Sequence, residues 1–407
     1  MKKDFKYDTS GIYDVVVIGG GPAGSTAANT LSMKGFKVLL LDKAGRIKPC
    51  GGAIPPRAIK DYSIPDELLV AKAKCARMIS PKEKKVDIPI ENGFVGMVDR
   101  DAFDEWLRKR ASENGAHRKI GSFEYLERKD NLITVNFSER KSVDDTKQFK
   151  TQLKARFVIG ADGANSKVAK QEIPGAKASK FVFAYHEIVE SPVKDINNDY
   201  DAARCDVIYS GKFSPDFYSW VFPHGKTMSI GTGSADRGFS LRNSVHNLRI
   251  KLGMEDCETI RCEGAPIPLK PLKKWDNGKD VILAGDAEGV VAPASGEGIY
   301  YAMLGGQLAA EATIEALETN NINSLSNARK KFMKLHGRVF WILGIMQWFW
   351  YKSDRLRERF VDICRDKDVQ EITFESYMNK ELVKKKKTAH VKIFFKDLAH
   401  LLGIAKI

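Results

Sequence analysis

The stretch Asp14-Val15-Val16-Val17-Ile18-Gly19-Gly20-Gly21-Pro22-Ala23-Gly24 sets the plan of this chain. Its run of β-branched residues reads as a strand buried on both faces, as in a parallel sheet. Gly19, Gly21 and Gly24 then fall at the G-x-G-x-x-G spacing. The first glycine permits a tight turn, the second lets a pyrophosphate approach the backbone, and the third lets the next helix pack close. That helix is expected over about 23–34, with Ala23 in its first turn and its amino end aimed at an anion. Gly35 ends it. A second strand is expected over 36–41, closed by Asp42 and Lys43, where a carboxylate can accept hydrogen bonds from a ribose. Strand, glycines, helix, strand and acid in one unit predict a bound dinucleotide.

The chain has 407 residues, enough for two or three lobes with ample core at roughly 150 residues per domain. A net charge of +14 admits nucleic acid, an anionic membrane surface, a phosphorylated substrate or merely a solvated lysine-rich surface. No basic-aromatic interleaving of an RNA-binding kind is present, so nucleic acid is not an expected partner. The six cysteines form no C-x-x-C pair, and residues 1–13 are polar and charged rather than a secretory leader. These features point to a reducing, cytoplasmic compartment with free thiols, and no metal site is expected.

Further along, Lys48-Pro49-Cys50-Gly51-Gly52-Ala53-Ile54-Pro55 reads as a loop whose backbone can lie flat against a ring, or as a turn holding an inert thiol. Phe103, Trp106 and Leu107 repeat at helical spacing behind Asp99 or Asp101 as a cap, and Arg100 just ahead is a candidate cofactor contact. Residues 121–154 read as a meander of short strands. A third buried strand over 155–160 ends at Gly160-Ala161-Asp162-Gly163, and a fourth over 280–284 ends at Gly285-Asp286. Carboxylates at the carboxyl ends of parallel strands face the ligand crevice. Ser295-Gly296-Glu297-Gly298-Ile299-Tyr300 opens a helix to about 320. Between 181 and 280 the pattern is antiparallel strands, with a helix over about 241–253 and a proline-rich linker over 266–271.

Gly-x-Gly-x-x-Gly, then Gly-Ala-Asp-Gly, then Gly-Asp-Ala resemble the three fingerprints of the flavoprotein superfamily typified by p-hydroxybenzoate hydroxylase. Within it, the chain is similar to the geranylgeranyl reductases of the chlorophyll-type branch. Lys48 to Pro55 resembles their active-site loop, and Pro215-Asp216-Phe217-Tyr218-Ser219-Trp220-Val221-Phe222-Pro223 their substrate-domain signature, Pro-x-x-Tyr-x-Trp-x-Phe-Pro. Glu288 departs from the small residue commoner after Gly-Asp-Ala.

The resemblance implies an α/β fold with α+β elements. It consists of a Rossmann-like FAD-binding domain (1–180 and 281–325) interleaved with an antiparallel-sheet substrate domain (181–280), then a C-terminal helical segment (326–407). It implies FAD as cofactor, held by Gly19, Gly21, Ala23, Gly24, Asp42, Lys43, Arg100, Asp162, Gly285, Asp286, Gly296, Gly298 and Ile299, with Cys50, Gly51, Gly52 and Ala53 along the isoalloxazine. Tyr218, Trp220, Phe222, Pro223 and Tyr300 would contact a geranylgeranyl-containing substrate. Cys50, Tyr218 and Trp220 would take part in the chemistry. The electron donor is open between NADPH and a reduced ferredoxin. An aromatic hydroxylase and a non-enzymatic flavin-bound protein on a membrane surface are the competing readings.

The chemistry itself sets requirements. An isolated alkene is unpolarised, so hydride addition needs a proton at the neighbouring carbon in a pocket that keeps water away. Aromatic faces bury a prenyl chain and stabilise passing positive charge. Finally, 339–351 is an apolar, aromatic run shorter than the ~20 residues that span a bilayer. It could cap a tunnel, lie at a membrane interface or pack as a core helix. The basic run at 384–387 and the amphipathic tail beyond it could offer peripheral membrane contact, form a solvated charged linker or pack as a terminal helix.

Overall fold

The computed structural model describes residues 11–45, 47–91, 93–129, 132–192 and 199–371. The basic tail singled out above lies outside these residues. The chain divides into two compact units. One takes the chain up to Lys48 with Asp101–Phe181 and Ile267–Arg338; the other takes Pro49–Arg100, Val182–Pro266 and the chain from Val339 on.

In the first unit, strand Ile12–Ile18 has Val15, Val16 and Val17 fully buried. It pairs in parallel with Val38–Asp42 on one side and Phe149–Gly160 on the other, and Val281–Leu283 extends the sheet. Helix Pro22–Met33 follows the glycine turn, with proline in its first turn, where the missing N–H costs nothing. The expected meander of short strands is instead three long ones, the first running on through a register shift between Phe123 and Tyr125. His117–Lys129 and Leu132–Arg140 pair antiparallel, and the latter pairs with the first half of Phe149–Gly160. The separate strand expected over 155–160 is therefore the second half of one 12-residue strand. Leu39, Leu41, Phe123, Phe137, Val158 and Leu283 fill the core on one sheet face.

The second unit holds a seven-stranded sheet that includes Phe181–Glu190, Thr227–Ser234, Ser219–His224, Arg204–Ile208, Cys75–Ile79 and Lys85–Pro89. The expected all-antiparallel pattern is broken once, since Arg204–Ile208 runs parallel to Cys75–Ile79. That pairing is why Pro49–Arg100 belongs to this unit rather than to the cofactor lobe, where the sequence reading put it. The proline-rich linker is partly strand as well. Thr259–Pro268 includes Pro266 and Pro268 and lies at the sheet edge, where a missing N–H breaks no ladder.

Nor do residues 339–371 form a lobe of their own. Arg357, 2% exposed, donates to the carbonyls of Pro215 and Tyr351, and Asp354 accepts from the Gly211 N–H at 2.7 Å. Tyr209 meets Tyr351 and Phe360 at ring distances of 5.5 and 5.1 Å. No helix among the described residues is long and apolar enough to cross a membrane.

Candidate functional site

The glycine turn of the first unit is built for close approach. Gly19 has φ +107, and a Cβ there would stand 2.2 Å from the Ala161 carbonyl oxygen. At Gly24 a Cβ would come within 1.8 Å of the Gly19 oxygen, so helix and turn touch backbone to backbone. Over Gly21, by contrast, no atom lies within 4 Å of a Cβ position, which leaves the outer side of the turn clear. No side chain caps the helix that follows. A diphosphate fits these features: backbone N–H groups, an uncapped positive helix end and room for an anion.

Asp42 is held at the end of its strand. It accepts from Gly20 N at 2.7 Å and Ala44 N at 2.8 Å. Arg108, unnoticed in the sequence, donates to the Gly20 carbonyl at 3.1 Å and stands 3.8 Å from Asp42. Lys43 is exposed, and its carbonyl accepts from Arg140. Asp162 accepts from Ser166 Oγ and from the N–H groups of Lys167 (2.6 Å) and Val168 (3.3 Å), at the start of the helix that follows. Burial nevertheless pushes its carboxyl up from the usual range.

Asp286, expected at the cofactor, pairs with the ammonium of Lys48 and so carries its own counter-charge. Gly285 lies against Ala23, where an added Cβ would meet the alanine methyl at 2.7 Å. Gly296 has φ +66, Gly298 precedes helix Ile299–Thr319 without a side-chain cap, and Ile299 opens the helix. Glu297 Oε1 accepts from Tyr300 N at 3.0 Å. Tyr300 is in this unit, buried against Tyr301 at 5.4 Å and His336 at 6.4 Å. Glu288, fully buried, has neither oxygen hydrogen-bonded, and burial pushes its carboxyl far above the ordinary range.

In the second unit the tryptophan signature lies along strand Ser219–His224. Val221 points into a core with Met228, Ile230 and Val245. By alternation Trp220 and Phe222 share the opposite face, and Tyr218 continues the row, with ring spacings of 6.0 and 6.2 Å. Trp220 pairs with Gly231 on the neighbouring strand, where a Cβ would come within 2.2 Å of the indole. The glycine is the room in which the indole lies. The cysteine loop meets the same row, since a Cβ on Gly51 would stand 3.0 Å from the Phe222 ring. Cys50 Sγ accepts from Gly52 N at 3.4 Å. Ala53 and Phe222 pack on the cluster of Met97 and Cys205, and Pro223 is buried in the strand. Burial pushes the Tyr218 hydroxyl well up, with Tyr351 and Cys50 adding to it, so it stays protonated. Arg100 is buried in this unit, close enough for its charge to act on Glu263.

Two histidines that no sequence motif marks organise this face. His224 Nδ1 lies 3.0 Å from Asp99 Oδ1, and Nε2 lies 3.1 Å from the Gly51 carbonyl. A carboxylate and a carbonyl only accept, so each ring nitrogen of His224 faces an acceptor. The hydrogen bond from His224 holds the Asp99 carboxyl below its usual range against the pull of burial.

His186 forms a second relay. The indole N–H of Trp220 donates to Ser229 Oγ at 3.0 Å. An indole can only donate, so the serine hydrogen is left for His186 Nδ1 at 2.9 Å, and Nε2–H then donates to Glu263 at 3.1 Å. Burial pushes the Glu263 carboxyl up, but the His186 bond and the charges of Arg261 and Arg100 outweigh it and hold it low. The tilt of Trp220 is thus set by a carboxylate two side chains away.

Comparison with known proteins gives the geometry its family. Over 392 residues, 96% of this chain and 98% of the relative, it is 56% identical to a geranylgeranyl diphosphate reductase of Rhodobacter capsulatus. The chain belongs to the geranylgeranyl reductase family. A more distant relative within reach of this family, a digeranylgeranylglycerophospholipid reductase of Methanocaldococcus jannaschii, is 30% identical over 76% of this chain and 79% of its own length. Residues 13–199 match the family model described as pyridine nucleotide-disulphide oxidoreductase. Among solved structures, a geranylgeranyl bacteriochlorophyll reductase-like protein of Thermoplasma acidophilum shares the fold. Its TM-score is 0.78 at 23% identity, over 93% of this chain and 99% of that one. The fold expected of a geranylgeranyl reductase, a Rossmann-like lobe with a sheet unit and C-terminal helices, is the fold found.

Proposed function

We propose that this protein is an FAD-dependent reductase that saturates C=C bonds of a geranylgeranyl chain carried on a diphosphate, a pigment or a lipid. The observation that carries the reading is the aromatic row Tyr218–Trp220–Phe222 on one strand face, with the cysteine loop packed on it at Gly51. In the first unit, Gly19, Gly21, Gly24 and Asp42 would hold the adenosine diphosphate portion of FAD, and Lys48, Asp286, Gly298 and Ile299 the flavin portion. When bound, reduced flavin supplies the hydride for the alkene.

The protein's own groups have three tasks. Burial of each prenyl methylene contributes about 0.8 kcal/mol, so an apolar aromatic face holds a long chain by area alone. The faces of Tyr218 and Trp220 stabilise positive charge developing on the more substituted carbon. A proton must reach that carbon's neighbour, and Cys50 Sγ–H is the candidate donor, or the group that sets the loop's position. NADPH or a reduced ferredoxin would return two electrons to the flavin. The cytoplasm, at the membrane periphery, is the proposed location.

The test is mass spectrometry of geranylgeranyl diphosphate and of a geranylgeranyl lipid after incubation with dithionite-reduced holoprotein. Successive gains of two mass units, one per alkene saturated, support the proposal. Unchanged masses with both substrates, or a hydroxylated product in oxygen, overturn it. A Cys50→Ser variant that keeps its flavin and its full rate removes Cys50 from the chemistry.

A further inference from the structure

Helix Asn327–Trp350 presents two different apolar faces. Its inner face is ordinary core: Phe332, Phe340 and Trp350 are buried. Its outer face is not ordinary surface. Trp341 is 68% exposed, Ile345 45% and Trp348 71%. These three follow one another at intervals of four and three residues, so they form a single stripe. The two tryptophans stand two turns apart, about 10 Å along the axis. Arg338 precedes the stripe and Lys352 follows it at the same spacing, both exposed, with the Lys352 ammonium 5.8 Å from the Trp348 ring.

The charge around the stripe is one-sided. From Asn320 to Ser353 the sequence holds six lysines and arginines and not one aspartate or glutamate. Exposed indoles are costly in water and favoured where an apolar body meets a polar headgroup layer. Cations at both ends of such a stripe favour an anionic layer. A second copy of this chain is a poor occupant, since it brings the same positive charge to the contact. The helix is too polar to span a bilayer, in line with the hydropathy of the described residues.

We propose that the Trp341–Ile345–Trp348 stripe is an interfacial docking surface that seats the protein on anionic lipid, lying in the headgroup plane. This gives the membrane-peripheral location proposed above a site, and it rests on that reading only for its purpose, since a C20 chain on a lipid or pigment is met at such a surface.

The experiment uses full-length, FAD-loaded protein and vesicles of phosphatidylcholine with or without phosphatidylglycerol. Wild type is expected to co-sediment with the anionic vesicles, less at high salt, and with a blue shift of tryptophan emission. W341S/W348S is expected to lose vesicle binding about tenfold or more while keeping its flavin and its rate on detergent-dispersed substrate. A second variant ending after Glu371 separates the stripe from the basic tail, and it is expected to retain most of the emission shift. Equal binding by W341S/W348S and wild type overturns the proposal. So does binding lost entirely with the tail alone, or a stripe that proves to be a dimer contact by a tryptophan-dependent change in solution mass. None of these outcomes touches alkene reduction, which the mass-gain assay reads without vesicles.

Discussion

Ser229 bridges two buried rings, Trp220 and His186, whose centroids stand 6.4 Å apart, and its removal is a calculable perturbation. Its hydroxyl accepts from the Trp220 indole at 3.0 Å and donates to His186 Nδ1 at 2.9 Å, and the residue is fully buried. Ser229→Ala leaves an indole N–H and an imidazole nitrogen unpaired, at about 1–3 kcal/mol each, so about 2–6 kcal/mol in total. Trp220→Phe takes away the indole donor but leaves the serine free to serve His186, costing a hydrogen bond of about 1 kcal/mol plus the lost ring volume. In the double variant the orphaned indole is gone. The two changes should therefore combine to about 1–2 kcal/mol less than their sum. Urea unfolding of the four proteins, followed by far-ultraviolet circular dichroism at unchanged slope, reads that coupling. Strict additivity would mean that the serine does not bridge the two rings, and the relay from Glu263 to Trp220 would be wrong.

Three further outcomes follow from single sites. Gly231→Ala places a methyl 2.2 Å from the indole and must push Trp220 out of the aromatic row; alkene reduction should fall at least tenfold with flavin content unchanged, read by turnover against flavin absorbance. Glu288 keeps its proton in the folded state while the unfolded acid ionises near pH ~4.3, so stability should fall as pH rises above that value, by about 1.4 kcal/mol per pH unit until the folded pKa is reached; Glu288→Gln should flatten the profile measured by urea midpoint. Asp99 has the opposite sign: its lowered pKa contributes stability above pH ~3.9 that is lost on acidification, and Asp99→Asn should remove that loss and free the Gly51 loop, seen as faster Cys50 alkylation.

Much of the first unit could be read from local pattern. The buried valines, the three glycines and Asp42 each act through neighbours close in sequence, and their strand and helix stand within about two residues of expectation. What escaped was non-local. Cys75–Ile79 has no clean alternation, yet it joins the sheet through Arg204–Ile208, some 130 positions downstream. Nothing near His186 or His224 marks it, because their partners Glu263, Ser229, Asp99 and Gly51 lie on other elements. The signal that existed for His224 was only its place directly after the tryptophan signature. The bonds that Asp162 accepts from Ser166 and Lys167 were not expected either: a carboxylate at a strand end can also serve the first N–H groups of the next helix.

Val221 takes the core side of its strand with Ile230, which leaves Trp220 and Phe222 on the other face by alternation. The run at 339–351 proved to be two things at once. Its alternate sides supply core around Tyr351 and an exposed tryptophan stripe. A one-dimensional pattern offered these as competing choices, whereas a helix turning through both environments has no need to choose.

The central claim is that flavin electrons in this protein pass to an isolated alkene. The direct measurement is anaerobic single turnover: holoprotein reduced with one equivalent of dithionite, mixed with geranylgeranyl diphosphate or a geranylgeranyl lipid, and followed by flavin absorbance. The account predicts that the oxidised spectrum returns in step with one saturated bond per flavin. A flavin that stays reduced until oxygen is admitted, with the prenyl chain unchanged, would contradict it.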